Sequence, residues 1–125
     1  MNYYRTVISA IGDEVQALLE GGVLILYSDG APPELAEVSV LHRVEAASAD
    51  APRIGSLLRI GDATVAVTAV GPTAWNKVSE LGHVVINFNG APTAERPGEI
   101  CATTIDCERL FDGMKRGTII EIADA

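Results

Sequence analysis

Two histidines and two cysteines carry the nucleophilic side chains of this sequence. His42, in Val40-Leu41-His42-Arg43, offers a neutral imidazole at physiological pH, a nitrogen able to carry a phosphoryl group covalently and pass it on. The same pattern also fits a core histidine bonded to a backbone carbonyl, and spacing alone leaves both open. His83, in Leu81-Gly82-His83-Val84, fits a partly buried strand histidine with a local hydrogen bond. Neither lies among acids or cysteines at metal-ligand spacing, so no metal and no cofactor is expected. Cys101 sits among Ile100, Ala102 and Thr103 and reads as a small buried hydrophobe, while Asp106 and Glu108 flank Cys107 and disfavour its thiolate. Trp75, next to Ala74, reads as a packing residue rather than a sugar platform. No phosphate-cradling glycine loop, dinucleotide fingerprint or G-x-S-x-G elbow occurs.

The elements that must position these groups follow from periodicity. Tyr3 to Ile11 predicts a strand, and Asp13-Glu14 opens a short helix with Val15, Leu18 and Leu19 on one face, closed by Gly21-Gly22. Val23 to Tyr27 is a continuous apolar strand, followed by turn residues and one possible helical turn at Pro33 to Glu37. Val38 to Val44 alternates, with Val38, Val40, His42 and Val44 on one side. Ala46 to Arg53 reads as a surface loop. Leu57 to Ile60, Gly61-Asp62 and Ala63 to Val70 give the best hairpin signal. A second helix starts after Gly71-Pro72-Thr73, with Ala74, Val78 and Leu81 on one face and Gly82 as its left-handed cap. His83 to Phe88, Glu99 to Ile105 and Thr118 to Ile122 complete the strands. The pattern predicts an all-β chain, a small closed or partly open β-barrel with two short peripheral helices, and makes a parallel sheet unexpected. Tyr3 to Tyr27 and Ala63 to Phe88 are both strand-plus-helix units, too weakly alike to argue duplication.

At 125 residues and 13.1 kDa the chain fits one domain, residues 1–125, with about 6,400 Å² of folded surface from size scaling. Hydrophobic residues make up 48% and aromatics only 5%, so aliphatic side chains must fill the core. Seventeen acids against nine bases give a net charge of -8, which opposes nucleic acid and anionic membranes and suits a basic partner whose docking weakens with salt. The acids nearest His42 in sequence are Glu34, Glu37 and Glu45. Two cysteines are too few for a disulfide framework. The longest apolar run, Val23 to Tyr27, cannot span a bilayer, and no leader pattern precedes it, so the expected place is the cytoplasm.

Two stretches resemble a known family. Val67-Thr68-Ala69-Val70-Gly71, then Asn76-Lys77-Val78-Ser79-Glu80-Leu81-Gly82-His83-Val84 and Phe88-Asn89-Gly90, is similar to the glucitol/sorbitol-specific enzyme IIA component of the bacterial sugar phosphotransferase system. Gly30-Ala31-Pro32-Pro33-Glu34-Leu35-Ala36-Glu37 leading to Val40-Leu41-His42 resembles its other signature, and Pro97-Gly98 also fits. The resemblance runs from about Thr6 to Ile122, with Arg43 to Arg53 and Cys101 to Lys115 divergent. It implies a small β-barrel and a cytoplasmic phosphocarrier for glucitol/sorbitol or a related sugar alcohol. The implied donor is the histidine phosphocarrier protein, and the implied receiver is a cysteine of the IIB domain within sugar-specific IIB/IIC permease components. It implies His42 as the acceptor, through the nitrogen farther from the backbone, and His83 as its neighbour. An exposed imidazole nitrogen is then required, with amides near Gly71 to Thr73, or the hydroxyls of Thr68 and Ser79, as donors to the phosphoryl oxygens. The rival readings are a noncatalytic β-barrel binding module and a relative that has lost phosphotransfer.

Overall fold

Branched aliphatic residues at every second position build strands whose inner faces meet, and the structure, a computed structural model, describes residues 1–125. In chain order these are β1 (Asn2–Ile11), α1 (Val15–Glu20), β2 (Val23–Ser28), α2 (Pro33–Ala36), β3 (Val40–Ala47) and β4 (Leu57–Ile60). Then follow β5 (Ala63–Val70), α3 (Ala74–Leu81), β6 (Val84–Asn87), β7 (Glu99–Ala102), α4 (Cys107–Gly113) and β8 (Ile119–Ala123). The strands close a barrel in the order β1-β3-β2-β6-β7-β5-β4-β8, which leaves no free edge. The accessible surface is 6,492 Å², close to the size-scaling expectation.

The expected all-β barrel is present and fully closed, but two details differ. There are four short helices rather than two, because the turn at Pro33 is helical and α4 forms after Asp106, whose carboxylate caps it by accepting from the Arg109 amide. Two of the eight strand pairings, β2 with β3 and β6 with β7, are parallel. The crossovers are made by residues 29–39 and 88–98 rather than by long helices, and each inserts the third strand of its unit between the first two, antiparallel to the first and parallel to the second.

Leu24, Leu26, Val40, Leu58, Ile86, Ile100 and Ile120 fill the interior at 1% exposure or less. Each stabilises the fold by about 1.5–3 kcal/mol relative to an exposed side chain. Trp75 is buried, meets the Tyr4 ring edge-on at 5.7 Å and donates its indole N–H to the Ser48 carbonyl at 2.7 Å, the packing role expected of it.

The barrel is internally two-fold. β1-α1-β2-β3 and β5-α3-β6-β7 repeat the same pairings, with β2 and β6 antiparallel at the axis. The Gly12 amide donates to the Ser39 carbonyl as that of Gly71 does to Glu99, and Glu14 donates to Glu37 as Thr73 does to Pro97. Both first strands bulge at the same point, between Ile8 and Ala10 and between Val67 and Ala69. Ile8 pairs with His42 and Val67 with Ala102, so the position equivalent to His42 holds an alanine. The duplication too weak to argue from side chains is plain in the backbone.

Candidate functional site

β3 carries His42 into the barrel between β1 and β2, opposite Ile8 and Ser28. The ring is 0% exposed and held from both nitrogens. Nε2 lies 2.6 Å from the Gly82 carbonyl oxygen, which can only accept, so Nε2 bears the hydrogen. Nδ1 therefore presents its lone pair to the Thr6 hydroxyl, which donates over 2.5 Å, with the Tyr4 hydroxyl at 3.3 Å. Thr6 and Tyr4 reach the ring because residues two apart on β1 share its inner face. Gly82 reaches it because α3 ends there in a left-handed turn, φ +59°, and a Cβ at that point would overlap the Ser28 hydroxyl. The expected helix cap is thus also the ring's partner across the two-fold axis. Ser28 ties the same turn by donating to the Leu81 carbonyl at 2.7 Å.

Burial pushes the His42 imidazole below its ordinary value of 6.5, against the Gly82 carbonyl and Asp29, which both favour the charged ring. His83 is pushed down too, by burial and by Lys77. Both rings are neutral at pH 7. The unfolded chain binds these protons more readily, so the stability they contribute is complete above 6.5 and is lost as pH falls below it. Urea unfolding should give a lower free energy at about pH 5.5 than at about pH 7.5, with a shallower fall in His42→Gln. A wild-type stability that stayed flat or rose on acidification would contradict the buried, neutral ring.

His83 lies half-buried just before β6, which starts at Val84 rather than at the expected His83, with its ring tilted 40° against Tyr27 at a centroid distance of 5.0 Å. No hydrogen bond or ring contact joins the two imidazoles, and their link is the main chain through Gly82. The amides of Gly71 and Thr73 are already given to the Glu99 and Pro97 carbonyls, which corrects the expected phosphoryl cradle there. Thr68 is on β5 with a buried, unpartnered hydroxyl, and Ser79 is exposed on α3; neither bonds His42. Of the acids, Glu45 is paired with Arg5 at 3.0 Å, and the one acting on His42 is Asp29, whose amide donates to the His42 carbonyl. Cys101 is buried, its thiol pushed up to about 11 by burial and then by Glu99; Cys107 is pushed up by burial and then by Asp106. No three His, Cys, Asp or Glu side chains converge on a common point. A cleft of about 1,020 Å³ between the β4–β5 turn and α4 is lined by residues that include Arg59, Asp62, Arg109 and Asp112 and contains neither histidine.

A closed barrel that fixes a neutral imidazole is the setting in which the relatives of this chain become informative. A family model for the PTS system glucitol/sorbitol-specific IIA component matches residues 3–121. The chain belongs to this family. Glucitol/sorbitol-specific EIIA components of Shigella flexneri and of Escherichia coli (strain K12) are each 37% identical to it over 98 residues, 78% of this chain and 78% of theirs. A solved PTS system IIA component from Enterococcus faecalis V583 shares the architecture, with a TM-score of 0.79 at 21% identity over 95% of this chain and 98% of that one. For this glucitol/sorbitol-specific IIA component, membership supports a phosphocarrier role and phosphotransferase activity in general. No helix of it is long and apolar enough to cross a membrane.

Proposed function

We propose that this IIA component acts in the cytoplasm as one carrier domain over residues 1–125, accepting a phosphoryl group on His42 from the histidine phosphocarrier protein. It then passes the group to a cysteine of its IIB partner for uptake of glucitol/sorbitol or a related sugar alcohol. The observation that carries the reading is the holding of His42: the ring is neutral, its Nδ1 is enclosed by hydroxyls, and its Nε2 points at the α3–β6 turn. A neutral ring is the nucleophilic form. Nε2 is then the reacting nitrogen, and the Gly82 carbonyl must swing away before a donor phosphoryl group can approach it. The turn is suited to that motion, since Gly82 lacks a Cβ and the next amide, His83, makes only a 3.3 Å bond to the Lys77 carbonyl. His83 adjoins that moving peptide and shapes it without bonding the acceptor.

Incubation with phosphoenolpyruvate, enzyme I and the phosphocarrier protein tests the reading through one acid-labile phosphoryl group per chain, mapped to His42. His83→Ala should still be labelled, at a rate lowered by about 3- to 10-fold, as expected for a residue that places the turn rather than forms the bond. Loss of all label in that variant would move the acceptor to His83. Complete burial of His42 favours a second reading, a barrel that retains the histidine structurally and no longer transfers phosphoryl groups. An unlabelled wild-type chain under those conditions would select it.

A further inference from the structure

We propose that Thr6 is the positioning residue of the transfer, its hydroxyl first donating to His42 Nδ1 and then accepting from it as the ring exchanges tautomers. This rests on the reading of His42 as acceptor.

The resting hydrogen-bond pattern is the wrong one for reaction at Nε2. The Gly82 carbonyl holds the hydrogen on Nε2, while the free lone pair is on Nδ1, sealed inside the barrel by Thr6 and Tyr4. A nitrogen that bears a hydrogen has no in-plane pair to offer phosphorus. When the Gly82 carbonyl withdraws and water enters, Nε2 releases its hydrogen to that water, and Nδ1 takes the Thr6 hydroxyl's hydrogen as the Thr6 oxygen takes one from water in exchange, so ring and hydroxyl each keep their count. The group facing Nδ1 then has to reverse its role. A carbonyl or a carboxylate accepts only, and would have fixed the hydrogen on Nδ1 permanently; an ammonium or an amide N–H donates only. A hydroxyl turns about its C–O bond and does both. Thr6 has this capacity, is 0% exposed, and lies at 2.5 Å, closer than Tyr4 at 3.3 Å.

In the transfer itself the donor's N–P bond breaks, its electron pair leaving with the donor nitrogen, as the Nε2 pair forms the new N–P bond. The hydrogen stays on Nδ1, where the Thr6 oxygen accepts it and disperses the positive charge that grows on the ring. Thr6 touches neither phosphorus nor the donor, and acts through the imidazole. At the two-fold equivalent position, fifty-nine residues on by the same offset that relates Gly12 to Gly71, the chain has Val65, so the hydroxyl accompanies the imidazole and is absent where the imidazole is absent.

The test compares Thr6→Ser, which keeps the hydroxyl, with Thr6→Val, which keeps the shape, in the full-length chain. Phosphorylation by phosphoenolpyruvate, enzyme I and the phosphocarrier protein is followed at several carrier concentrations, and label is mapped by peptide digestion. The ring tautomer is read from nitrogen-15 NMR of the histidines. Thr6→Val should lower kcat by about 10- to 100-fold with KM for the carrier unchanged, label still on His42. Thr6→Ser should restore the rate to within a few-fold of wild type. Resting wild type should show hydrogen on Nε2. Should the Val variant unfold, Thr6→Ala takes its place with the same expected loss. Wild-type kcat in the hydroxyl-free variant, or a loss in Thr6→Ser as large as in Thr6→Val, would overturn the role of Thr6 while leaving His42 as acceptor. Label mapped away from His42, or none in wild type, would overturn the acceptor reading and this inference together.

Discussion

His42→Ala chains should carry no phosphoryl group under conditions that label the wild type to one per chain, a loss of at least about 10³-fold in rate. No other side chain is expected to substitute, because His83 shares no hydrogen bond with the groups that hold His42 and burial pushes the Cys101 and Cys107 thiols up. The fold will feel the change. Removing the ring leaves a cavity and strips partners from the Thr6 and Tyr4 hydroxyls and the Gly82 carbonyl, which should destabilise the barrel by about 2–4 kcal/mol. His42→Gln is therefore the companion variant, since its amide can donate toward Gly82 and accept from Thr6. It should be equally unlabelled and closer to wild type in urea. Label retained by a folded His42→Gln chain would refute His42 as the acceptor.

Gly71→Ala and Gly12→Ala should each cost about 3 kcal/mol or more, a large part of the 5–15 kcal/mol typical of a domain. Neither glycine needs an unusual φ. Each lies where a crossing segment touches its backbone: a Cβ at Gly12 would overlap the carbonyls of Ala36 and Glu37, and one at Gly71 those of Arg96 and Pro97. Those segments feed β3 and β7, so relief of the clash would have to displace both the strand and the amide bonds from Gly12 to Ser39 and from Gly71 to Glu99. Gly30 is the control, with φ +86° and no neighbour within 4 Å, where alanine should cost only about 1–2 kcal/mol of backbone strain. Urea midpoints for the three variants give the ranking. A Gly71→Ala midpoint equal to that of Gly30→Ala would show that the close approach is not what constrains the residue.

What the sequence reveals is mostly local. The β4–β5 hairpin around Gly61-Asp62 and the Gly82 cap of α3 are written in neighbouring residues, and both stand where they were expected. Helix α4 carries a readable signal, the Asp106 cap three residues before Arg109, but its strand-like approach through Ile105 hides it. The parallel pairings of β2 with β3 and β6 with β7 leave no trace in spacing, since period-two alternation is the same for either direction. At the candidate site His42 is visible as an inward-facing histidine, yet Thr6, Tyr4 and Gly82 lie 36, 38 and 40 residues away in the chain. Only closure of the barrel brings them to it. His42, expected to be open to a partner, is instead sealed, because it sits on the inner face with Val40 and the second half of the barrel closes over it.

The two-fold plan of the backbone bears on stoichiometry. A barrel with two like ends presents an approaching partner with two similar frames, and a loaded group at both would give each chain a capacity of two. Ala102 in place of His42 and Phe88 in place of Ser28 fill the second frame with hydrocarbon, and Gly22 there accepts the Phe88 amide instead of an imidazole. With His42 as acceptor, the carrier is monovalent by composition rather than by geometry: the frame exists twice, and only one copy is chemically equipped.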